Sequence, residues 1–288
     1  MSKRVHLLAN FRRHDAVVAA QKTAFLLKNS GVAVFSHHES ALILELPEVS
    51  DSEFGACDLA ISFGGDGTLI RIAQLCSELG TPVLGVYYGR FGFVTQCTGE
   101  MLDDCLAAFL DDRSVYEPRM MLHTDLLRGG QVIATIHSLN ETVLQRAVTV
   151  RMLNFAVKVN GHDLTTYPAD GVMVSTATGS TGYNLSAGGP IMDPRVNALV
   201  LTAIAPHTLS ARTLVLHDES QIQISMETEG EAVLSADSQI RLHLLSGDEI
   251  LVKKSDRVTH LLVVDSDDFL IKLGKRLFWS FPMAGGNT

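Results

Sequence analysis

In the first 113 residues, short apolar runs alternate with segments in which apolar residues recur every three to four positions. The runs predict buried strands at residues 4–9, 32–35, 59–63 and 82–86. The periodic segments predict amphipathic helices at residues 15–30, after Thr68, and at about 100–111. Strands that alternate with helices are typical of an open parallel sheet covered on both faces. We therefore expect a Rossmann-like α/β domain over residues 1–113, although residues 36–55 show no clear period.

From about residue 114 the pattern changes to short alternating runs separated by turn residues. Two hairpins are predicted, at residues 124–136 and at residues 154–167, where Asn160-Gly161 favours a tight turn. Further strands are predicted at 171–176, 198–205, 221–226, 231–236, 239–245, 249–253 and 258–264. This spacing indicates an all-β, sandwich-like domain over residues 114–264. A helical pattern at 267–281 suggests that residues 265–288 return to pack on the first domain.

Composition narrows the class of protein. The chain has 288 residues, 46% of them hydrophobic, which is enough for two domains with substantial cores. A formal charge of −9 argues against nucleic acid or an anionic membrane as the main partner. No apolar run is long enough to span a bilayer, and no signal-peptide pattern opens the chain. The four cysteines form no C-x-x-C pair, so we expect a cytoplasmic protein with reduced thiols.

The stretch Gly64-Gly65-Asp66-Gly67-Thr68 lies between a predicted strand and a predicted helix, at the edge of the sheet where ligands bind in such folds. Glycines allow close approach of a ligand and positive φ angles. The helix N-terminus offers free N–H groups to a phosphate. A carboxylate would repel phosphate, so Asp66 needs a metal ion or a hydroxyl proton to accept. An alternative is that Asp66 only caps the helix, and the spacing alone does not separate the two hypotheses.

A second polar stretch, residues 176–186, follows an apolar strand and is rich in hydroxyl groups and glycine. A helix is predicted to begin near Thr181, and hydroxyls with free N–H groups would form a cradle for phosphate or ribose. The alternative is an ordinary Ser/Thr cap and loop, but five hydroxyl residues are more than one cap needs. Asp170-Gly171 precedes this strand, and Asn140-Glu141 interrupts another apolar run, where buried polar groups would need partners.

Other common nucleotide and catalytic motifs are absent from the sequence. Gly274-Lys275-Arg276 lacks the P-loop pattern, and no G-x-G-x-x-G or G-x-S-x-G is found. The eleven histidines show no metal-binding spacing, so no metal ligand is assigned with certainty.

Taken together, these motifs resemble those of the ATP-NAD kinase family. The resemblance rests on 64–68, Gly89 to Phe93, 139–141, Asp170-Gly171 and 178–190, in the order of the family. It implies transfer of the γ-phosphoryl group of ATP to the 2′-hydroxyl of the adenosine ribose of NAD, giving NADP. It also implies an α/β and a β-rich domain, Mg²⁺ or another divalent metal with ATP, and a homodimer or homotetramer.

The resemblance also implies roles for individual residues. Asp66 would be the general base or a metal-linked group, Asn140 and Glu141 would bind ribose hydroxyls, and Asp170 would approach the nicotinamide. Tyr183 would stack on the dinucleotide. The other residues implied in binding substrate or nucleotide are Gly64, Gly65, Gly67, Thr68, Phe93, Arg151, Thr178, Ser180, Thr181, Gly182, Asn184, Leu185, Ser186 and Gln239.

The chain departs from the family pattern at Tyr87, where Gly-x-Asn is common, and at Pro168, Ala177 and Gly182. These departures affect the expectation of which phosphoryl donor is used (ATP or polyphosphate) and of whether NAD or NADH is preferred, more than the expectation of the reaction itself. Two other hypotheses are a lipid kinase that shares the glycine-rich motif and a dinucleotide sensor without turnover. Leu69-Ile70-Arg71 after the motif argues against the first, and the presence of Asp66, Asn140 and Glu141 against the second.

Overall fold

The structure, a computed structural model, describes residues 2–89, 92–95, 97–147, 152–226, 230–264 and 268–277. The chain divides into two compact units. Unit 1 comprises Met1–Glu117 together with His260–Thr288, and unit 2 comprises Pro118–Thr259. Of the predicted returning segment 265–288, only residues 268–277 are described, and their helix belongs to unit 1. No described helix is long and apolar enough to cross a membrane.

Unit 1 alternates strands with helices, as the apolar pattern predicts. Its elements before the chain enters unit 2 are β1 (Arg4–Ala9), α1 (His14–Asn29), β2 (Ala33–His37), α2 (His38–Leu44), β3 (Glu48–Val49), β4 (Leu59–Gly64), α3 (Asp66–Cys76), β5 (Val83–Tyr87) and α4 (Leu102–Leu110). The strands form a parallel sheet in the order β3-β2-β1-β4-β5. The α2 and β3 elements lie in the stretch for which the sequence predicted none.

Helices cover both faces of this sheet. Leu59, Ile61 and Phe63 on one face of β4 join a buried cluster with residues of α1 and α4. On the opposite face, Leu69 of α3 approaches Gly85 so closely that a Cβ at Gly85 would lie 3.0 Å from it. A parallel sheet buried on both sides explains why its strands are continuous apolar runs. The predicted α/β class is therefore confirmed for this unit.

Unit 2 consists almost entirely of strands. They are β6 (Tyr116–Arg128), whose first two residues lie in unit 1, and then β7 (Gln131–Ser138), β8 (Glu141–Arg146), β9 (Leu153–Val159), β10 (His162–Ala169), β11 (Gly171–Thr176), β12 (Ala198–Ile204), β13 (Leu214–His217), β14 (Ile222–Met226), β15 (Ala232–Ala236), β16 (Ile240–Leu244) and β17 (Glu249–Leu262). Between β11 and β12 lie a 3₁₀ turn (Thr178–Thr181) and a single helical turn, α5 (Tyr183–Ser186). After β17, α6 (Asp268–Arg276) follows in unit 1.

Six strands of unit 2 form an antiparallel sheet in the order β13-β12-β11-β8-β15-β16. A second set pairs in the order β10-β9-β14-β17, and β6 pairs with both β17 and β7. One buried apolar cluster draws on both sets, for example Phe155 and Ile224 from one and Val172 and Leu234 from the other. Two sheets over a shared core confirm the predicted β-rich, sandwich-like domain.

Three local predictions can be compared directly with the structure. The Asn160-Gly161 hairpin is confirmed, because both residues have positive φ angles, 51° and 79°. The stretches predicted as strands at 249–253 and 258–264 are strand up to Leu262, but the break predicted between them is wrong, since β17 is one continuous strand. Its polar middle lies within this strand, where Lys254 forms an ion pair with Asp218. The helix predicted from Thr181 is reduced to α5, and Gly188 follows it with φ 83°.

Candidate active site

Asp66 is the first residue of α3, directly after Gly65, which is the N-cap. Its carboxylate does not cap the helix; it accepts four hydrogen bonds from residues 93–95. Oδ2 accepts the Phe93 N–H at 2.8 Å, and Oδ1 accepts the N–H groups of Val94 (3.2 Å) and Thr95 (2.9 Å) and the Thr95 hydroxyl (2.9 Å). The capping interpretation is therefore wrong for Asp66. The sequence placed Phe93 near the site but gave no sign that Val94 and Thr95 hold the carboxylate.

Two glycines near Asp66, Gly64 and Gly92, are required by space and not by backbone conformation. None of Gly64, Gly65 and Gly67 has a positive φ, so that part of the expectation is wrong. A Cβ at Gly64 would lie 2.5 Å from the Thr68 hydroxyl, and one at Gly92 would lie 2.0 Å from Asp66 Oδ1. At Gly65 and Gly67, no atom of the described part of the chain lies within 4 Å of the position of a Cβ. One side of the loop is thus closely packed, and the other is open.

Tyr87 ends β5 and stands in parallel register with Gly64 of β4. Its main-chain N–H donates to the carbonyl of Cys97 at 2.9 Å, and its side chain is half-buried. The residue that replaces the common Asn of the family is therefore at the same sheet edge as the glycine motif.

In unit 2, Asp237 binds the main-chain N–H groups of the turn at 139–141. Its carboxylate accepts the N–H groups of Leu139 (2.8 Å), Asn140 (2.8 Å) and Glu141 (3.2 Å). The Asp237 N–H donates in return to the Glu141 carbonyl at 3.0 Å. Sequence reasoning gave no role to Asp237, although Asp237-Ser238-Gln239 weakly resembles the family pattern and directly follows a predicted strand.

Asn140 and Glu141 are buried, at 9% and 4% exposure, and each has a polar atom without a partner. Among the described residues, Asn140 Oδ1 and Glu141 Oε2 find no hydrogen-bond partner. Burial, together with the charge of Asp237, raises the pKa of Glu141 to about 7, although a hydrogen bond from the Tyr183 N–H opposes the shift. Orphaned buried acceptors are costly, which points to a ligand that supplies donors here.

The segment 176–182 lies against this turn. The Thr176 hydroxyl donates to the Leu139 carbonyl at 2.7 Å, and the Thr176 N–H donates to the Asn140 carbonyl at 2.8 Å. A Cβ at Gly179 would lie 2.1 Å from the Asn140 carbonyl oxygen, and one at Gly182 would lie 3.2 Å from Glu141 Oε2. The two glycines thus allow the segment to approach Asn140 and Glu141, and the structure brings these predicted residues together.

Two of the predicted binding residues, Asn184 and Ser180, form hydrogen bonds with other parts of the loop and with the sheet. The fully buried Asn184 donates to the carbonyls of Ser180 (3.3 Å) and Pro190 (3.1 Å) and accepts the Thr202 hydroxyl at 2.8 Å. The Ser180 hydroxyl accepts the Met192 N–H at 3.0 Å. These contacts hold the loop together. Around them, Thr178 is buried, Tyr183 and Ser186 are exposed, and Thr181, Gly182 and Leu185 are intermediate.

Three predicted residues of the second half of the chain remain: Asp170, Gln239 and Arg151. Asp170 forms an ion pair with Arg146 at 2.9 Å. Gln239 is exposed and donates its N–H to the Ala236 carbonyl at 2.9 Å. Arg151 lies outside the described residues. Among the described residues, the cluster spaced for a metal ion is His37, His38 and Glu39, and it contains no predicted site residue.

Comparison with known proteins places both units in one family. Residues 5–114 match the model of the ATP-NAD kinase N-terminal domain, and residues 139–264 match that of the ATP-NAD kinase C-terminal domain. An NAD kinase of Desulforamulus reducens is 34% identical over 277 residues, which cover 95% of this chain and 96% of the relative. One of Citrifermentans bemidjiense is 38% identical over 288 residues, covering 96% and 99%.

Two solved structures share the fold, each at 24% sequence identity. A yeast NADH kinase complexed with NADH has a TM-score of 0.90 and covers 99% of this chain and 90% of that one. An NAD kinase from Archaeoglobus fulgidus in complex with ATP has a TM-score of 0.76, with 94% and 98% covered.

Proposed function

The chain belongs to the ATP-NAD kinase family, and from this premise we propose how its own residues carry out the reaction of that family. The reaction is the ATP-dependent phosphorylation of NAD to NADP, a phosphoryl transfer to an alcohol acceptor. Such a transfer depends mainly on positioning, charge neutralisation and an aligned nucleophile. A single placed carboxylate suffices to take the hydroxyl proton.

Asp66 is the proposed general base. The observation that supports this role is the unequal loading of its two oxygens: Oδ1 accepts three hydrogen bonds and Oδ2 accepts one. Oδ2 therefore keeps a lone pair for the 2′-hydroxyl proton of the adenosine ribose. As the hydroxyl oxygen bonds to the γ-phosphorus, its proton passes to Oδ2 and the bond from phosphorus to ADP breaks. Gly67, which has open space around it, leaves room for the dinucleotide.

We propose Mg²⁺, or another divalent metal, as the companion of ATP. Mg²⁺ is commonly held by one or two carboxylates together with substrate phosphates and waters. In the alternative in which Asp66 is the metal-linked group and not the base, its singly loaded Oδ2 would fit that donor set, and Thr68 lies in the same turn of α3. The metal would neutralise charge on the phosphates.

The dinucleotide would use the orphaned acceptors of unit 2. Ribose hydroxyls are donors, and Asn140 Oδ1 and Glu141 Oε2 are buried acceptors that no described residue satisfies. The exposed Tyr183 is available for stacking, with Thr181, Gly182, Leu185 and Ser186 around it. Asn184 and Ser180 support this loop from inside, and Asp170, held by Arg146, is proposed for the nicotinamide end.

The wider assignments also remain proposals. Residues 1–113 with 265–288 would bind ATP, and residues 114–264 would contribute the dinucleotide site. The partners would be NAD, NADP and ATP, without nucleic acid or membrane, in a cytoplasmic homodimer or homotetramer. Sedimentation of the purified protein tests the oligomer.

The decisive experiment is an activity matrix of donors (ATP, polyphosphate) against acceptors (NAD, NADH), with and without EDTA. We expect NADP from ATP and NAD, and loss of product when the metal is removed. Asp66→Asn should abolish turnover while the protein still folds and binds NAD. Undiminished activity in this variant would exclude Asp66 as the base.

A further inference from the structure

Asp237 lies in a turn that holds its main chain in a left-handed conformation and its carboxylate in a buried position. Its φ of 50° and that of Ser238, 58°, are left-handed, a conformation that Asp and Asn tolerate better than most residues. Its side chain is 5% exposed. Three consecutive main-chain N–H groups, from Leu139 to Glu141, donate to its carboxylate. The turn at 139–141 is therefore built around a single buried anion.

We infer that Asp237 is a positioning residue of this enzyme: it sets the main chain that presents Asn140 and Glu141 to the dinucleotide, and its buried charge makes dinucleotide binding depend on pH. The inference rests on the proposed contact between Glu141 and a ribose hydroxyl. It adds a residue that the sequence motifs did not assign.

The geometry brings two buried acids to the turn at 139–141. Asp237 Oδ1 accepts the main-chain N–H of Glu141 at 3.2 Å, and both residues are buried, so the Asp237 charge acts on the Glu141 carboxyl group through a poorly screening interior. Glu141 is faced by Asp237 from the turn after β15, and by the Tyr183 N–H and Gly182 from the segment after β11. Because like charges oppose ionisation, the Asp237 charge contributes to the raised pKa of Glu141, after burial itself.

The sign of the pH effect follows from the ligand. A ribose hydroxyl donates to the ionised Glu141 carboxylate, so the dinucleotide favours the charged form. Affinity for NAD should therefore increase as pH rises through about 7, the pKa of Glu141. Removing the Asp237 charge should move this rise to lower pH.

The test is calorimetric binding of NAD, without ATP, between about pH 5.5 and 8.5. Asp237→Asn keeps the left-handed backbone and one acceptor but removes the charge. We expect its midpoint to lie about one pH unit or more below that of the wild type. Asp237→Gly also suits the left-handed turn and provides a second variant. Ser238→Gly, in the same turn and without a change of charge, is the matched control and should leave the midpoint in place.

Glu141→Gln separates the inference from the proposed function. If this variant binds NAD as the wild type does at every pH, the contact of Glu141 with the dinucleotide is wrong. The ionisation of Glu141 itself is then followed by ¹³C NMR of its carboxyl group without ligand, using Glu141→Gln for assignment. A midpoint that is the same in wild type and Asp237→Asn, by NMR or by binding, overturns the inference. A uniform loss of affinity at all pH values would mean that Asp237 is only structural.

Discussion

Thr95 donates both its main-chain N–H and its hydroxyl to the same oxygen of Asp66, each at 2.9 Å. The double contact fixes the carboxylate plane and directs the other oxygen, Oδ2, away from Thr95. The proposed base is thus oriented by the loop that follows β5, and not by the glycine motif in which Asp66 lies.

Thr95→Val should reduce kcat roughly tenfold with little change in the KM for NAD, because it removes one charged hydrogen bond worth about 1.5–3 kcal/mol and keeps the shape of the side chain. Steady-state kinetics measures both constants. Thr95→Ser retains the hydroxyl and should stay close to the wild type. Equal kcat in the Val variant would show that the hydroxyl does not orient the base.

Gly67→Ala should preserve the fold and weaken NAD binding. Nothing lies within 4 Å of the new Cβ, and Ala is favoured over Gly in helices by up to about 1 kcal/mol. We expect an unchanged or higher Tm and a KM for NAD raised at least about tenfold, because the methyl group would occupy space meant for the dinucleotide. An unchanged KM would mean that the dinucleotide does not approach Gly67.

Gly92→Ala should act on Asp66 and not on the space around Gly67, because the new Cβ would lie 2.0 Å from Asp66 Oδ1. The carboxylate must move, so kcat should fall by at least about a hundredfold, which a displacement of roughly 1 Å can cause. Retained kcat in this variant would contradict the assigned orientation of Asp66.

Asn184→Ala should destabilise the protein by about 2–4 kcal/mol, because it leaves the Ser180 and Pro190 carbonyls and the Thr202 hydroxyl without their partner. Denaturant unfolding monitored by circular dichroism measures the loss. Ser186→Ala, at an exposed position of the same helical turn, is the control and should change stability by less than about 0.5 kcal/mol. Equal stability of the two variants would contradict the internal role of Asn184.

His137 should make unit 2 less stable in mild acid. Burial, followed by the charges of Arg257 and His123, lowers its pKa from 6.5 to about 4. Between these values the unfolded chain binds a proton that the folded chain does not, so the free energy of unfolding decreases as pH falls.

Unfolding at about pH 7 and about pH 5 measures this effect, and His137→Gln should reduce the difference between the two. His162→Gln, on an exposed strand, serves as control. If His137→Gln leaves the pH dependence unchanged, His137 is not its source.

Much of the fold was predictable because a strand that is buried on both faces is a continuous apolar run in the sequence. The strand 4–9 and the strand 171–176 were predicted at their observed bounds. The errors have local causes. β17 was divided because Lys254 and Asp256 resemble a turn, yet they lie on a strand that continues through both units. The helix predicted from Thr181 was too long, because the apolar residues that follow α5 belong to a loop.

The candidate site was predictable where its functional groups belong to adjacent residues, as in 64–68 and 140–141. The contacts of Thr95 and Asp237 join residues far apart in sequence, and only folding reveals them. The sequence also did not show which hydroxyl and amide side chains face solvent. Asn184 and Tyr183 are neighbours, yet Asn184 is buried and Tyr183 is exposed. Composition marks a polar loop, but it does not say which side chains support it and which meet a ligand.

Unit 1 is assembled from both ends of the chain, since Leu261 of β17 pairs in parallel with Val83 of β5. On the ribosome, unit 2 is complete once Thr259 has been added, while the sheet of unit 1 still lacks its last strand. The N-terminal unit therefore cannot finish folding first, although it is synthesised first. Until β17 has been synthesised, β5, the strand that ends at Tyr87, exposes a sheet edge, which makes this stage the one most in need of protection from aggregation.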